Sequence, residues 1–322
     1  MTLPLISATV PASAAAPGKP NVPPGVTAGY VVFDRQAAKV TEYRNAHRKF
    51  RSASVVKILI AIDYLESRKS VPKRDLALLK AMLRVSDDGA ATSFWTRGGQ
   101  GKIIQRMARK LRLTDTVPPP ADKPGFWGYT SLSAMDVATT YRYLLDRADP
   151  KVSGLILSHL RRSGQCGSDG FDQYFGIPRA VRGPWAVKQG WSGYGSTPPV
   201  RCRPATAPAS TTRSSASTAP ASAARPSAFA APTPDAPFAA HPASATGSTV
   251  TARTAPAAQV VPARSAPVPD LGRPVLHTTG LVGPRERWIV VLLTAHPAGA
   301  TWQRSTAQTT KLAREVHLSG TS

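Results

Sequence analysis

Apolar and polar positions along the chain fall into two regimes. Over 26–196, and again over 271–320, short apolar runs alternate with charged ones, whereas 197–270 is almost wholly Ala, Pro, Ser, Thr and Arg. A stretch of that second kind cannot offset its ordering entropy by burial. The expected organisation is therefore a disordered leader or signal-peptide remnant over 1–25, one domain built from 26–196 and 271–320, and a low-complexity insert over 197–270. Within the domain, 29–34 and 39–44 read as a strand hairpin, rich in β-branched and aromatic residues around a short polar turn. The run from Phe50 to Leu65 is apolar almost all round and predicts a helix buried at the centre of its domain. Amphipathic helices are expected at 74–84, 100–112, 131–147 and 151–162, and an irregular loop over 115–129, where Pro118, Pro119 and Pro120 interrupt the pattern. Strands return at 185–191, 274–282 and 287–294, and a last helix spans 301–318. Two strands, a helical block, three strands and a terminal helix predict an α+β fold: a five-stranded antiparallel sheet flanked by helices, with a mostly helical subdomain.

Composition adds constraints. With 42% hydrophobic residues the chain can fill a sizeable core, and its 31 Pro and 24 Gly are unevenly spread. A net charge of +23 raises nucleic-acid binding. The basic residues are nevertheless scattered over every segment, with no aromatic-interleaved RNA-binding signature, so no nucleic-acid partner is expected. Outside a cell, such a surface would favour anionic wall polymers through long-range, salt-sensitive attraction. The apolar start running into Ser13-Ala-Ala-Ala16 has the look of a secretory h-region and its cleavage site, without the basic n-region. The expectation is a secreted or extracytoplasmic protein, a monomer, with no membrane span. Cys166 and Cys202 either form one disulfide or remain two thiols. Lone cysteines and scattered histidines lack paired ligand spacing, so no metal and no cofactor are expected.

Candidate chemistry begins at Ser54-Val-Val-Lys57, where a loop enters the buried helix. A hydroxyl and an ammonium three residues apart share a helix face. A lysine beside a second cation and an apolar wall can have its pKa lowered enough to take the serine proton. Taken alone, the pattern describes an N-cap serine and a solvated first-turn lysine equally well. Two further motifs follow in order: Ser86-Asp87-Asp88 after an amphipathic helix, and Lys188-Gln189-Gly190 within a strand. Together the three resemble the Ser-x-x-Lys, Ser-Asp-Asn and Lys-Thr-Gly boxes of the serine β-lactamase and penicillin-binding-protein superfamily. The resemblance covers 26–196 and 271–320.

The resemblance implies a β-lactamase/transpeptidase-like fold and a serine hydrolase that forms an acyl-enzyme on a β-lactam or D-alanyl-peptide-like amide. In it Ser54 would be the nucleophile and Lys57 its proton acceptor. Ser86 would carry the proton to the leaving nitrogen, and Lys188 would supply positive potential. Asp88, Gln189, Gly190 and Trp191 would contact substrate, the last through an oxyanion-hole N–H shared with Ser54. Three departures stand out. Asp88 replaces Asn and cannot donate a hydrogen bond when ionised, so pairing with Lys57 is an alternative role; Gln189 replaces Thr; and 114–129 carries only Asp115 and Asp122, with no Glu-x-x-x-Asn pattern to activate a deacylating water. The competing reading is a catalytically impaired wall-binding protein on the same fold. His47, His159, His277 and His296 show no triad spacing. Trp185 and Trp191, at alternating positions of one strand, either wall the cleft or pack in the core.

Overall fold

Strand β1 (Thr27–Asp34) turns back into β2 (Lys39–Arg44), and β5 (Trp185–Ser192), β6 (Val275–Val282) and β7 (Trp288–Ala295) complete one antiparallel sheet in the order β2-β1-β7-β6-β5. β6 is buried at every position, because helices cover both faces of the sheet, and its sequence therefore lacks strict alternation. The computed structural model describes residues 18–204 and 267–322. Most of the expected leader and most of the low-complexity insert lie outside the described residues.

Eight helices occupy the described residues: α1 (Lys57–Glu66), α2 (Lys73–Arg84), α3 (Asp88–Arg97), α4 (Gly101–Leu111), α5 (Ala134–Asp146), α6 (Pro150–Leu160), α7 (Ile177–Ala180) and α8 (Trp302–Thr321). On one face of the sheet α8 lays Leu312, Ala313 and Val316 against Val32, Val290 and Leu292. Full burial of each such Leu or Val contributes about 1.5–3 kcal/mol. The approach is close: a Cβ on Gly320 would lie 2.6 Å from Val32 Cβ. The other face meets the larger core, centred on α1, which is buried from Lys57 to Leu65. Its one buried carboxylate, Asp63, is held bidentately by Arg106 of α4 at 2.8 and 2.7 Å, as a charge out of water requires.

Several expectations are corrected. The apolar run from Phe50 is not helical from its start. Phe50–Arg51 forms β3, paired with β4 (Ser131–Leu132), then Ala53–Val56 makes a 3-10 turn, and α1 begins only at Lys57. The pairing with β3 also delays α5 to Ala134, where the Ser133 hydroxyl caps the helix by accepting from Asp136 N. Helices α3 and α7 are additional to those expected. α3 is masked in the sequence by its small, weakly amphipathic composition, although Asp87 N-caps it at 2.7 Å from Ala90 N. Cys166 and Cys202 form a disulfide. The described ends of the insert rest on the body: Cys202 N donates to Gly170 O at 2.8 Å, and Asp270 pairs with Arg48 at 2.8 Å.

Candidate active site

Ser54 sits in the 3-10 turn that leads into α1. The residue before it, Ala53, has φ of 44°, a left-handed conformation that costs a non-glycine residue roughly 1–2 kcal/mol and is concentrated at functional sites. Ser54 is 6% exposed, and its hydroxyl has no hydrogen-bond partner among the described residues. Edge strand β5 closes one side of the turn. A Cβ on Gly190 would lie 3.1 Å from Val55 Cγ2 and 3.2 Å from both Ser52 O and Ser54 N. The missing side chain at 190 thus makes room for the backbone that carries Ser54. Gly190→Ala is expected to push that turn outward and lower the rate of Ser54 acylation about tenfold, in line with a strain of 1–3 kcal/mol for overpacking. Stopped-flow labelling rates of the two proteins check it.

Beneath Ser54, three of the four expected catalytic side chains are joined. Lys57 Nζ donates to Ser86 O at 2.6 Å, Ser86 Oγ at 3.2 Å and Asp88 Oδ1 at 2.6 Å. Lys188 Nζ donates to Ser86 Oγ at 2.8 Å and to Gln189 O at 2.9 Å. Both lysines are buried, at 0% and 1% exposure. No hydrogen bond links Lys57 to Ser54, so the lysine is directed at the second motif instead. Ser86 reaches its position between the two cations through a φ of 57°. Lys188 is fixed from behind: its carbonyl accepts from Thr279 Oγ1 at 2.7 Å, and Tyr141 OH bonds that threonine at 3.0 Å. Burial, reinforced by the charge of Lys57, holds the Lys188 ammonium well below the usual lysine range, against the opposite pull of Asp88 and Asp169.

The same overall fold recurs in solved structures. PBP-A superposes with a TM-score of 0.54 at 14% identity, over 92% of this chain and 90% of that one. The class A β-lactamase from Mycobacterium abscessus does so with 0.52 at 14% identity, over 91% and 93%. The fold is that of the serine β-lactamases and penicillin-binding proteins. No protein-family model matches the chain. Among curated proteins, "Putative lipoprotein LppW" of Mycobacterium tuberculosis and its Mycobacterium bovis counterpart are each 35% identical over 175 residues, 52% of this chain and 54% of theirs. The chain spans about half the length of these curated relatives.

On this β-lactamase-type scaffold the remaining expected residues take distinct places. Asp88, on the first turn of α3, forms the ion pair with Lys57 while its side chain stays 60% exposed. Gln189 points away from Lys188, as strand alternation requires, and its Nε2 donates to Gln173 O at 3.2 Å and Phe175 O at 2.6 Å. Trp191 also turns from Ser54, joining Phe171, Phe175 and Trp302 at ring distances of 6.2–6.4 Å. Trp185 packs edge-on to Tyr174 at 5.4 Å. The two tryptophans are thus packing residues, and only the backbone of Trp191 remains a candidate for the oxyanion hole.

Two residues near the site carry no sequence motif. Trp127, in the 3-10 turn Trp127–Tyr129, lays its ring 4.7 Å from Lys57 Nζ. The aromatic cluster Phe126-Trp-Gly-Tyr129 in a Pro-rich loop is its only signal. Asp169 accepts from Trp191 Nε1 at 2.9 Å and Phe171 N at 3.1 Å, in a loop tied down by the Cys166–Cys202 disulfide. Burial pushes its carboxyl above the usual range, with a smaller contribution from Asp88 in the same direction. The acids of 114–129 face elsewhere: Asp115 bonds His47 and Ser133 at 2.9 and 2.8 Å, and Asp122 lies near Lys123 on the surface.

Proposed function

We propose that the protein is an exported serine acyl-transfer enzyme that forms a covalent intermediate on Ser54 and releases it slowly. The observation that carries this reading is the Lys57–Ser86–Lys188 hydrogen-bonded chain next to an unpartnered, nearly buried serine at the entrance to α1. Ser54 Oγ attacks the carbonyl carbon of a strained or activated amide. The Oγ–C bond forms and the C–N bond breaks. With the Lys188 amine neutral, the serine proton passes along the Lys57–Ser86–Lys188 chain to its lone pair, and Ser86 returns a proton to the leaving nitrogen, so that charge balances. The lowered basicity of Lys188, caused by its burial, fits a group that exchanges a proton with Ser86 more readily than an ordinary lysine would.

Hydrolysis of the intermediate needs a base for water. Trp127, rather than an acid, covers Lys57 on the loop side, which favours slow deacylation over efficient β-lactamase turnover. β-Lactams and D-alanyl-peptide-like amides are the substrate class; one related PBP-A structure is an acyl-enzyme complex with penicillin G. Export is supported by the disulfide and by the name lipoprotein borne by the curated relatives. No helix of the described residues is long and apolar enough to cross a membrane. The Asp88–Lys57 ion pair favours a second reading, a wall-binding protein that has lost turnover.

Intact mass after incubation with benzylpenicillin separates these readings. A persistent adduct on the wild type and none on Ser54→Ala is the expected result. Antibiotic consumed without a trapped adduct would mean efficient hydrolysis, and antibiotic left intact would favour the binding role.

A further inference from the structure

The donors around Ser54 that could receive a substrate carboxylate are already engaged within the protein. Gln189 commits its amide nitrogen to two backbone carbonyls. Arg51 directs its guanidinium at the carbonyls of Asp270, Ser192 and Arg273. Lys188 is buried and engaged with Ser86 and Gln189. What the cleft does present is Asp88. One of its oxygens is held by Lys57 at 2.6 Å, and the side chain is 60% exposed. Asp169 lies close enough for its charge to act on Asp88, Lys57 and Lys188. An ionised carboxylate only accepts hydrogen bonds. A neighbouring acyl-amide carbonyl would meet it lone pair to lone pair, whereas an ammonium brings three donors and a compensating charge.

We propose that Asp88 selects acyl donors that carry a free, protonated amine on the carbon next to the scissile carbonyl. This rests on the acyl-enzyme reading of Ser54 and shifts its preferred substrates from N-acylated donors to α-amino acyl esters and amides. Lys57 follows Ser54 by three residues through the 3-10 turn and bonds Asp88 directly, which places the exposed carboxylate beside the group next to Ser54, where it would receive the α-substituent of an attacked carbonyl. The ammonium takes the open oxygen while Lys57 keeps the other. Benzylpenicillin, whose amine is acylated, is then a poor member of the class and reacts through the strain of its ring.

A matched pair of esters tests this: D-alanine p-nitrophenyl ester and its N-acetyl derivative, at a pH where the free amine is protonated. The readout is the burst of p-nitrophenol from the wild type, Asp88→Asn and Ser54→Ala. The amino-to-acetyl rate ratio is expected to be about tenfold or more higher in the wild type than in Asp88→Asn, the scale of a charge-assisted hydrogen bond; intrinsic ester reactivity cancels in this comparison. Equal ratios in the two proteins would overturn the selection by Asp88 and leave the acyl-enzyme reading standing. No Ser54-dependent burst with either ester would remove both.

Discussion

On the acyl-enzyme reading, Lys57→Met is expected to lower the acylation rate of Ser54 by about three orders of magnitude, within the range for loss of a group that relays the reacting proton, without destabilising the fold. Lys57 is fully buried on the first turn of α1, and a charge there is costly to desolvate. Its partner Asp88 is 60% exposed and returns to water when the lysine is removed. Met has a similar length and no charge, and replacing buried ions by fitted apolar groups is often neutral or stabilising. Folding free energy should therefore be unchanged or raised by up to about 2 kcal/mol, after subtracting the Ser86 carbonyl left without its donor. Urea unfolding measures stability, and burst kinetics the rate. A variant that unfolds more readily yet still acylates would make Lys57 a structural residue.

The second large effect is acid lability above the carboxylate range. His277 is fully buried on β6. Its Nε2 donates to Arg51 O at 2.9 Å, and its Nδ1 accepts from Thr294 N at 3.2 Å. An amide N–H can only donate, so this environment fits the neutral ring, and burial lowers its pKa from 6.5 to about 4. Burial lowers that of His296 to about 4 as well. Because both depressed values belong to the folded state, the unfolded chain binds the extra protons. Stability is complete above pH 6.5 and falls as the pH drops toward 4. At about 1.4 kcal/mol per pH unit for each group, the loss by pH 5 is about 4 kcal/mol for the pair. Surface carboxylates remain largely ionised there and contribute little. Urea midpoints at pH 7 and pH 5 check the slope, and His277→Gln should make it shallower. A flat profile would mean that these rings accept a proton without disturbing the core.

Much of the architecture was legible from patterning because the elements concerned are long and strongly biased. β1, β2, β6 and β7 are rich in β-branched residues, and α8 buries small and apolar residues at helical spacing, from Ser305 to Gly320. The misreadings cluster where tertiary pairing overrides periodicity. Phe50–Arg51 lies in an apolar run that reads as helix, and only its pairing with Ser131–Leu132 makes it a strand. In the candidate site, three motifs and their order point to Ser54, Lys57, Ser86, Asp88 and Lys188, and the last four are joined by hydrogen bonds. Asp169 was not, because its meeting with Trp191 depends on the fold of a loop between α6 and α7. The direction of Gln189 follows from strand alternation once the register is known, but the carbonyls that receive it lie in the same loop.

The sheet is assembled against the order of synthesis. β1 and β5, made early, are not neighbours; the slots between them are filled by β6 and β7 from the last part of the chain. Until that hairpin arrives, the strand bearing Lys188 has no partner on its inner edge, and Thr279, which fixes the lysine's backbone, does not yet exist. Pairings between distant segments form late. The Lys57–Ser86–Lys188 chain is therefore completed only once the last strands are in place, so any reactivity of Ser54 that depends on it arises after the whole domain has been made.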